Sequence, residues 1–401
     1  MSSYLRYLGF GVLHFTLSGA LLIAALSLTG DLSILNTFDF LPWDAAHFSH
    51  IVWEGYDRTR SAFFPGFPLI WKWTGLPASG ISALNAVLML LVSPVLAERL
   101  KLGIRDYLLM LATPSLLFIA LPYAEAMLFV CFASFVIAAL QQKWILALLA
   151  LLAASLCKPN AAVFLPVIMG CAIWWTQGTR REMMVFGGMA LAVIAGTFSA
   201  LYIQSLETGE LFGFFKSQYD WGNWLRWPSF PLGSWGDITS KLLDAVALWI
   251  CLVAGVYLIW QLRLPRTERQ LYLVNAIAAG YLAFTGLYVL FFRGGELFSL
   301  NRFVFCTPFF WVFYVSITTQ KLPRRSTVFI ITWLTVAVSF GAYVHIQHSL
   351  KFLVLGAALW GVDRLISKDA LNPAGRWMPY FLMLTIQVFF VWKIVHGFWV
   401  A

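Results

Sequence analysis

The run Leu41-Pro42-Trp43-Asp44-Ala45-Ala46-His47-Phe48-Ser49-His50-Ile51-Val52-Trp53-Glu54-Gly55-Tyr56 holds carboxylates, imidazoles and a phenol in one short stretch. Read as a helix entered after Pro42 and stopped at Gly55, its spacing puts Asp44, His47, Ile51 and Glu54 on one stripe, at steps of three, four and three. A carboxylate and an imidazole on one face can move protons to and from a bound molecule. Asp44 at a helix start also has a structural use, as a cap or a dipole partner, and the spacing leaves both open. Glu125, after Pro122-Tyr123-Ala124, stands at a second expected helix start, either as a dipole partner or facing a cavity. Lys158 lies in the turn Cys157-Lys158-Pro159-Asn160, and Asn301-Arg302 opens an apolar run that begins at Phe303. An arginine there either snorkels to headgroups or binds an anion.

These groups must be positioned by a membrane domain. Of the 401 residues, 61% are hydrophobic and 11% charged, and mean hydropathy is +0.79. Soluble chains carry about 25% charged residues, so a cytosolic enzyme, a secreted disulfide scaffold and a disordered chain are excluded. The expectation is an all-α polytopic membrane protein, residues 1–401 forming one integral membrane domain. Thirteen apolar stretches are candidate spans: 8–28, 79–97, 107–121, 124–140, 144–157, 161–176, 184–205, 239–260, 271–291, 303–318, 327–344, 350–366 and 378–396. Several are short and 144–157 with 161–176 reads equally as one broken helix, so about 11–13 transmembrane helices are expected. The stretch 8–28 reads as a retained first span rather than a cleaved signal.

Loop charges set the expected orientation. With the N-terminus inside, the loops near Arg99-Lys101-Arg105, Lys143, Arg180-Arg181, Arg263-Arg266-Arg269, Lys321-Arg324-Arg325 and Arg364-Lys368-Arg376 face the cytoplasm. Together with Arg6 they hold 16 Lys/Arg against 6 Asp/Glu, as cytoplasmic loops should. The long segments 29–78 and 206–238, rich in Trp, Phe, Pro and Gly, then lie outside, the first with amphipathic helices. In it, Ser61-Ala62-Phe63-Phe64-Pro65-Gly66-Phe67-Pro68 reads as a rigid non-helical turn ahead of the apolar stretch Leu69–Trp73. The net charge of +9 is scattered over many loops, which reports topology rather than nucleic-acid binding. The five cysteines sit in or beside apolar runs without a CxxC pair and read as small buried hydrophobes.

The segments WDAAHFSHIVWEGY and AFFPGFPL together resemble the signature of the PIG-V family, mannosyltransferases of GPI-anchor assembly and their bacterial relatives. Pro122-Tyr123-Ala124-Glu125-Ala126-Met127-Leu128-Phe129, the turn at Lys158, Phe214-Phe215-Lys216-Ser217-Gln218-Tyr219-Asp220-Trp221 and Ser299-Leu300-Asn301-Arg302-Phe303 through Pro308 resemble further family segments in the same order. The similarity spans most of the chain. The chain departs from the family in carrying Lys158-Pro159-Asn160 where Arg is frequent and Ala124 where Ser or Thr is usual, and in being shorter than eukaryotic members.

The resemblance implies a GT-C-type fold and transfer of a hexose, mannose foremost, from a polyprenyl-phosphate donor to an acceptor hydroxyl on the extracytoplasmic face. The acceptor, whether lipid, glycan or protein, stays open. Asp44 becomes the catalytic base, and Arg302 and Lys158, with Arg293 in reserve, become contacts to the donor phosphate. Tyr123, Glu125, His47, Glu54, Tyr56, Gln218, Trp221 and Asn301 become substrate-binding residues, Trp221 either as a sugar platform or as an interface anchor. The partners implied are the lipid-linked donor, the acceptor and membrane lipids, with no nucleic acid, and the setting is a bacterial inner membrane. No cofactor or metal is implied: His47-x-x-His50 and His345-x-x-His348 lack an HExxH arrangement, and a hydrogen-bonding His47 stands ahead of an Asp44–His47 ion site. The chain has no P-loop, GxGxxG or DxD pair. The rival class is a transporter or flippase, which should carry mid-bilayer charges and inverted repeats.

Overall fold

The computed structural model describes residues 3–320, 325–340, 346–367 and 375–400. Lys321, Arg324, His345 and Lys368, used in the charge and spacing readings, lie outside them, as do the side chains of Arg266 and Arg364. Backbone in a bilayer must satisfy its own N–H and C=O groups, and a helix does so within one segment. Accordingly helices follow one another from Ser3–Thr29 to Met378–Val395. Among the described residues, β pairing is confined to an isolated bridge between Gly233 and Glu296.

Among the described residues, six helices are long and apolar enough to cross a membrane unaided: Ser3–Thr29, Ala78–Arg99, Arg180–Thr208, Ile238–Gln261, Leu273–Phe292 and Gly375–Val395. A seventh exists if Pro114–Ala120 and Glu125–Leu140, bent by 102°, count as one span. The chain is therefore an all-α multi-pass membrane protein. By length alone it does not reach 11–13 spans, because Trp144–Cys157, Pro159–Trp174, Pro308–Thr319 and Arg325–Ser339 are apolar but short. Proline is a main cause. Pro114, Pro159 and Pro308 each open a helical segment, since proline cannot donate to a preceding turn and turns its predecessor away from helix. Residues 107–121 accordingly divide into Ile104–Leu111 and Pro114–Ala120, and 303–318 into Leu300–Phe305 and Pro308–Thr319. Trp144 and Gln177 line one cleft, so the chain turns back at Lys158-Pro159 and the stretches on either side are two antiparallel helices.

The bundle is knit by rings. Phe132, Phe164, Tyr281 and Phe309 stand with centroids 4.6–5.3 Å apart, joining four helices by contacts worth about 0.5–1.5 kcal/mol each beyond burial. Gly196 lets Arg180–Thr208 lie against Trp144–Cys157, for a Cβ there would meet the Leu152 carbonyl oxygen at 2.6 Å. Such close approach at small residues drives helix association in membranes.

Alternating helix direction sorts the connections to two ends. At one end Tyr314 donates to Asp106 at 3.3 Å and Trp175 to Gln261 at 3.2 Å. At the other, segments 29–78 and 206–238 meet. Arg58 pairs with Asp220 at 2.8 Å, and the Tyr56 N–H donates to Glu207 at 2.6 Å. Asp44–Glu54 forms the expected first-connection helix. The segment expected as a non-helical turn before Leu69 is instead helical from Gly66, as Gly66–Thr74. Pro68 falls in its first turn, where a missing N–H leaves no bond unmade.

Candidate active site

Four charged side chains, from four segments far apart in sequence, meet at the end where the two long connections join. Arg302 Nη2 donates to Asp44 Oδ2 at 2.7 Å. Arg302 also donates to Glu125 Oε1, from Nε at 2.9 Å and from Nη2. Lys158 Nζ reaches the same Glu125 oxygen at 2.6 Å. Two carboxylates and two cations thus compensate one another, the condition for burying charge. Three of the four stand where apolar helix is interrupted: Glu125 just after the 102° bend, Lys158 in the turn before Pro159, and Arg302 in the short Leu300–Phe305. Irregular backbone at membrane depth is tolerated only inside protein or beside a cavity.

Exposure separates their roles. The Arg302 and Glu125 side chains are 3% and 2% exposed, whereas Lys158 is 15% and Asp44 25%. Asp44 is the group a solute meets first. Its Oδ2 is held by Arg302, and its Oδ1 takes no hydrogen bond among the described residues. Aromatic faces line the cations: the Arg302 guanidinium lies 4.7 Å from the Tyr123 ring and 5.0 Å from Phe118, and Lys158 lies 4.9 Å from Phe303. Tyr123 Oη donates to the Pro42 carbonyl at 2.9 Å, tying the Asp44 helix to the bend that carries Glu125. Gly66 brings the first connection against the helix end before Lys158, since a Cβ there would lie 2.8 Å from the Leu156 carbonyl oxygen and 2.9 Å from Cys157 Sγ.

Arg302 is in turn held from behind. Asp244 Oδ1 accepts from the Asn301 N–H at 2.9 Å and from Asn301 Nδ2 at 2.7 Å. Ser115 donates to Asn301 Oδ1 at 2.9 Å, and Ser234 to Asp244 Oδ2 at 2.5 Å. Asn301 is fully buried with its amide engaged on both sides, so it anchors Arg302 rather than facing the opening. Asp244 escaped the sequence reading, although one carboxylate inside the apolar run Leu242–Val253 is a signal of function by itself. Removing it in Asp244→Ala orphans three buried donors, at about 1–3 kcal/mol each. Asp244→Ala should therefore lower the melting temperature of the detergent-solubilised protein clearly more than Asp244→Asn, which keeps an acceptor oxygen. Equal melting temperatures would dismiss the network.

The remaining expected residues divide. His47 stacks on Phe63 at 5.0 Å and meets Trp221 edge-on at 5.4 Å. Burial lowers its pKa, the Asp44 charge pulling partly the other way, so the ring is neutral at pH 7. Trp221 donates from Nε1 to the Thr59 carbonyl at 3.0 Å, and Gln218 accepts from Asn223 Nδ2 at 2.9 Å. Gln218 and Asn223 thus bond to each other. His47, one helix turn from Asp44, forms an aromatic wall with Phe63 and Trp221, Phe63 being a member that the spacing did not single out. Glu54 and Tyr56 do not join it. Ten residues at 100° each carry Glu54 about 80° round the helix from Asp44, away from the buried Ala45, Phe48 and Val52. There it is 67% exposed and pairs with His50 at 3.2 Å. Tyr56 turns toward Arg180–Thr208, its hydroxyl buried without a hydrogen-bond partner.

Arg293 lies between Phe298 and Phe303, 4.0 and 5.3 Å from the ring centroids. It donates to the Phe298 carbonyl and makes no ion pair with a carboxylate among the described residues. No group of three or more His, Cys, Asp or Glu suited to a metal occurs among the described residues. A cleft of about 450 Å³ between Trp144, Arg181, Phe186 and Leu273 lies at the opposite end of the bundle, away from the charges. Comparison with protein-family models, curated proteins and solved structures finds no match to this chain.

Proposed function

We propose that this chain is a GT-C-type membrane glycosyltransferase. It moves a hexose, mannose foremost, from a polyprenyl-phosphate donor to an acceptor hydroxyl on the extracytoplasmic side, with inversion. The observation that carries the reading is Asp44: a partly open carboxylate, fixed through one oxygen by the buried Arg302, beside a wall of His47, Phe63 and Trp221. In the proposed step the acceptor oxygen bonds to the anomeric carbon as its proton passes to Asp44, and the carbon–oxygen bond to phosphate breaks, the phosphate leaving with the electron pair. Cationic groups near the leaving phosphate lower the barrier. Arg302 orients Asp44 through Nη2, and its Nη1, in no hydrogen bond among the described residues, is left to face the phosphate together with Lys158, Arg293 standing in reserve. The PIG-V-like motifs support the same reading, and the charge bias of the loops supports an N-inside orientation in a bacterial inner membrane.

The test is purified protein with radiolabelled polyprenyl-phosphate mannose. Hydrolysis or transfer is expected, and it should continue in EDTA. Activity lost in EDTA and restored by Mg²⁺ or Mn²⁺ would revive an Asp44–His47 ion site. The second reading, a lipid or glycan transporter, draws support from Asp244, a buried carboxylate within the membrane helix Ile238–Gln261. Absence of both donor binding and turnover would put that reading first.

A further inference from the structure

Asp44 is preceded by backbone that ordinary side chains avoid. Phe40 has φ +61°, and Trp43, the residue just before the helix, has φ +44° with ψ −105°. Residues with a Cβ rarely adopt positive φ, and such conformations persist only where the surroundings over-determine them. Two hydrogen bonds hold the neighbours: Leu41 N–H to Asp39 Oδ1 at 2.9 Å, and Tyr123 Oη to the Pro42 carbonyl at 2.9 Å. Trp43 itself is met by Trp399, edge to face, with centroids 5.0 Å apart and planes at 79°.

Trp399 follows the helix Met378–Val395 and is itself firmly placed. Phe398 N–H donates to the Lys393 carbonyl at 2.9 Å, and Val400 is fully buried. Gly236 leaves room for the indole, because a Cβ there would lie 2.9 Å from Trp399 Cδ1. The same stretch reaches both long connections. His396 Nε2 lies 3.3 Å from Asp31 Oδ2, while Lys393 pairs with Asp237 and donates to Thr239 at 3.1 Å. Residues 393–400 therefore clasp the start of the first connection, the residue beside Asp44, and the end of the second.

We propose that Trp399 is a positioning residue for Asp44: by packing on Trp43 it holds the positive-φ entrance to the helix and so aims the carboxylate at Arg302. That this aim serves catalysis rests on the glycosyltransferase reading; the aim itself does not. The Trp399 indole N–H has no hydrogen-bond partner among the described residues, so ring contact does the holding and phenylalanine can substitute.

Two readouts test this in protein reconstituted in nanodiscs. In hydrogen exchange, Trp399→Ala should raise the rate at the Ala45 and Ala46 amides, which now bond to the Pro42 and Trp43 carbonyls, by about tenfold or more. Trp399→Phe should restore it. In donor turnover, Trp399→Ala should lower kcat with KM little changed. In a Trp43→Ala background Trp399→Ala should add nothing, whereas independent structural losses would add. If Trp399→Ala does not fold, Trp399→Leu, which keeps bulk without a ring face, takes its place. Unchanged exchange over residues 40–50, or strictly additive losses in the double variant, would overturn the proposal. A wild type that turns over no donor but shows the exchange effect would sink the glycosyltransferase reading alone and leave the positioning role standing.

Discussion

Asp44→Asn is expected to abolish sugar transfer while leaving the protein folded, inserted and able to bind donor. The change keeps the shape of the side chain and an oxygen for Arg302 Nη2, and Arg302 retains its bonds to Glu125. What is lost is the ability to take a proton. A positioned general base contributes about 10²–10⁴-fold in rate, so kcat should fall by about that factor with little change in KM. Asp44→Glu keeps the charge but displaces it by a methylene, and should recover only a fraction of the rate. Turnover of Asp44→Asn within a few-fold of wild type would remove Asp44 from the chemistry.

Arg302→Ala should act on the fold itself. The guanidinium is the shared partner of two carboxylates, one of them 2% exposed. Truncating one member of a buried pair costs about 3–5 kcal/mol when the other is left unpaired. Here Glu125 keeps Lys158 while Asp44 loses its hydrogen-bonded cation, so the loss should lie toward the lower end of that range. A large fall in melting temperature or loss of extractable protein is the expected result. Arg302→Lys should recover only part of the stability, because one ammonium cannot reproduce the two-directional fork that reaches Asp44 and Glu125 together. If Arg302→Ala melts like wild type, Glu125 is not held by Arg302 as the geometry shows.

Asp44, Tyr123, Glu125, Lys158 and Arg302 stood out in the sequence for one reason: each polar group lies near a proline or at the edge of an apolar run, although a cap, a dipole partner or a snorkelling residue would lie there too. The pairing was not legible. Nothing local says that Arg302 reaches back 258 positions to Asp44 and 177 to Glu125, and so the two carboxylates that fix its direction stayed out of view. Glu54 was misplaced because a stripe drawn by spacing ignores the slow rotation of a helix over three turns. Asp244 was missed because its importance comes from Asn301, 57 residues on. Pro114, Pro159 and Pro308 cut apolar stretches into pieces too short to cross alone, and of these only Pro159 also stands beside a residue of the site.

The wide spacing of the four charges has a consequence for biogenesis. Glu125 and Lys158 are 33 residues apart and lie on consecutive helices, so this pair can close as soon as the first half of the chain has been synthesised. Asp44 has no hydrogen-bonded cation until Arg302 emerges. Roughly three quarters of the chain must therefore be inserted before the carboxylate has a fixed direction, and in shorter nascent chains it is left without the bond that aims it.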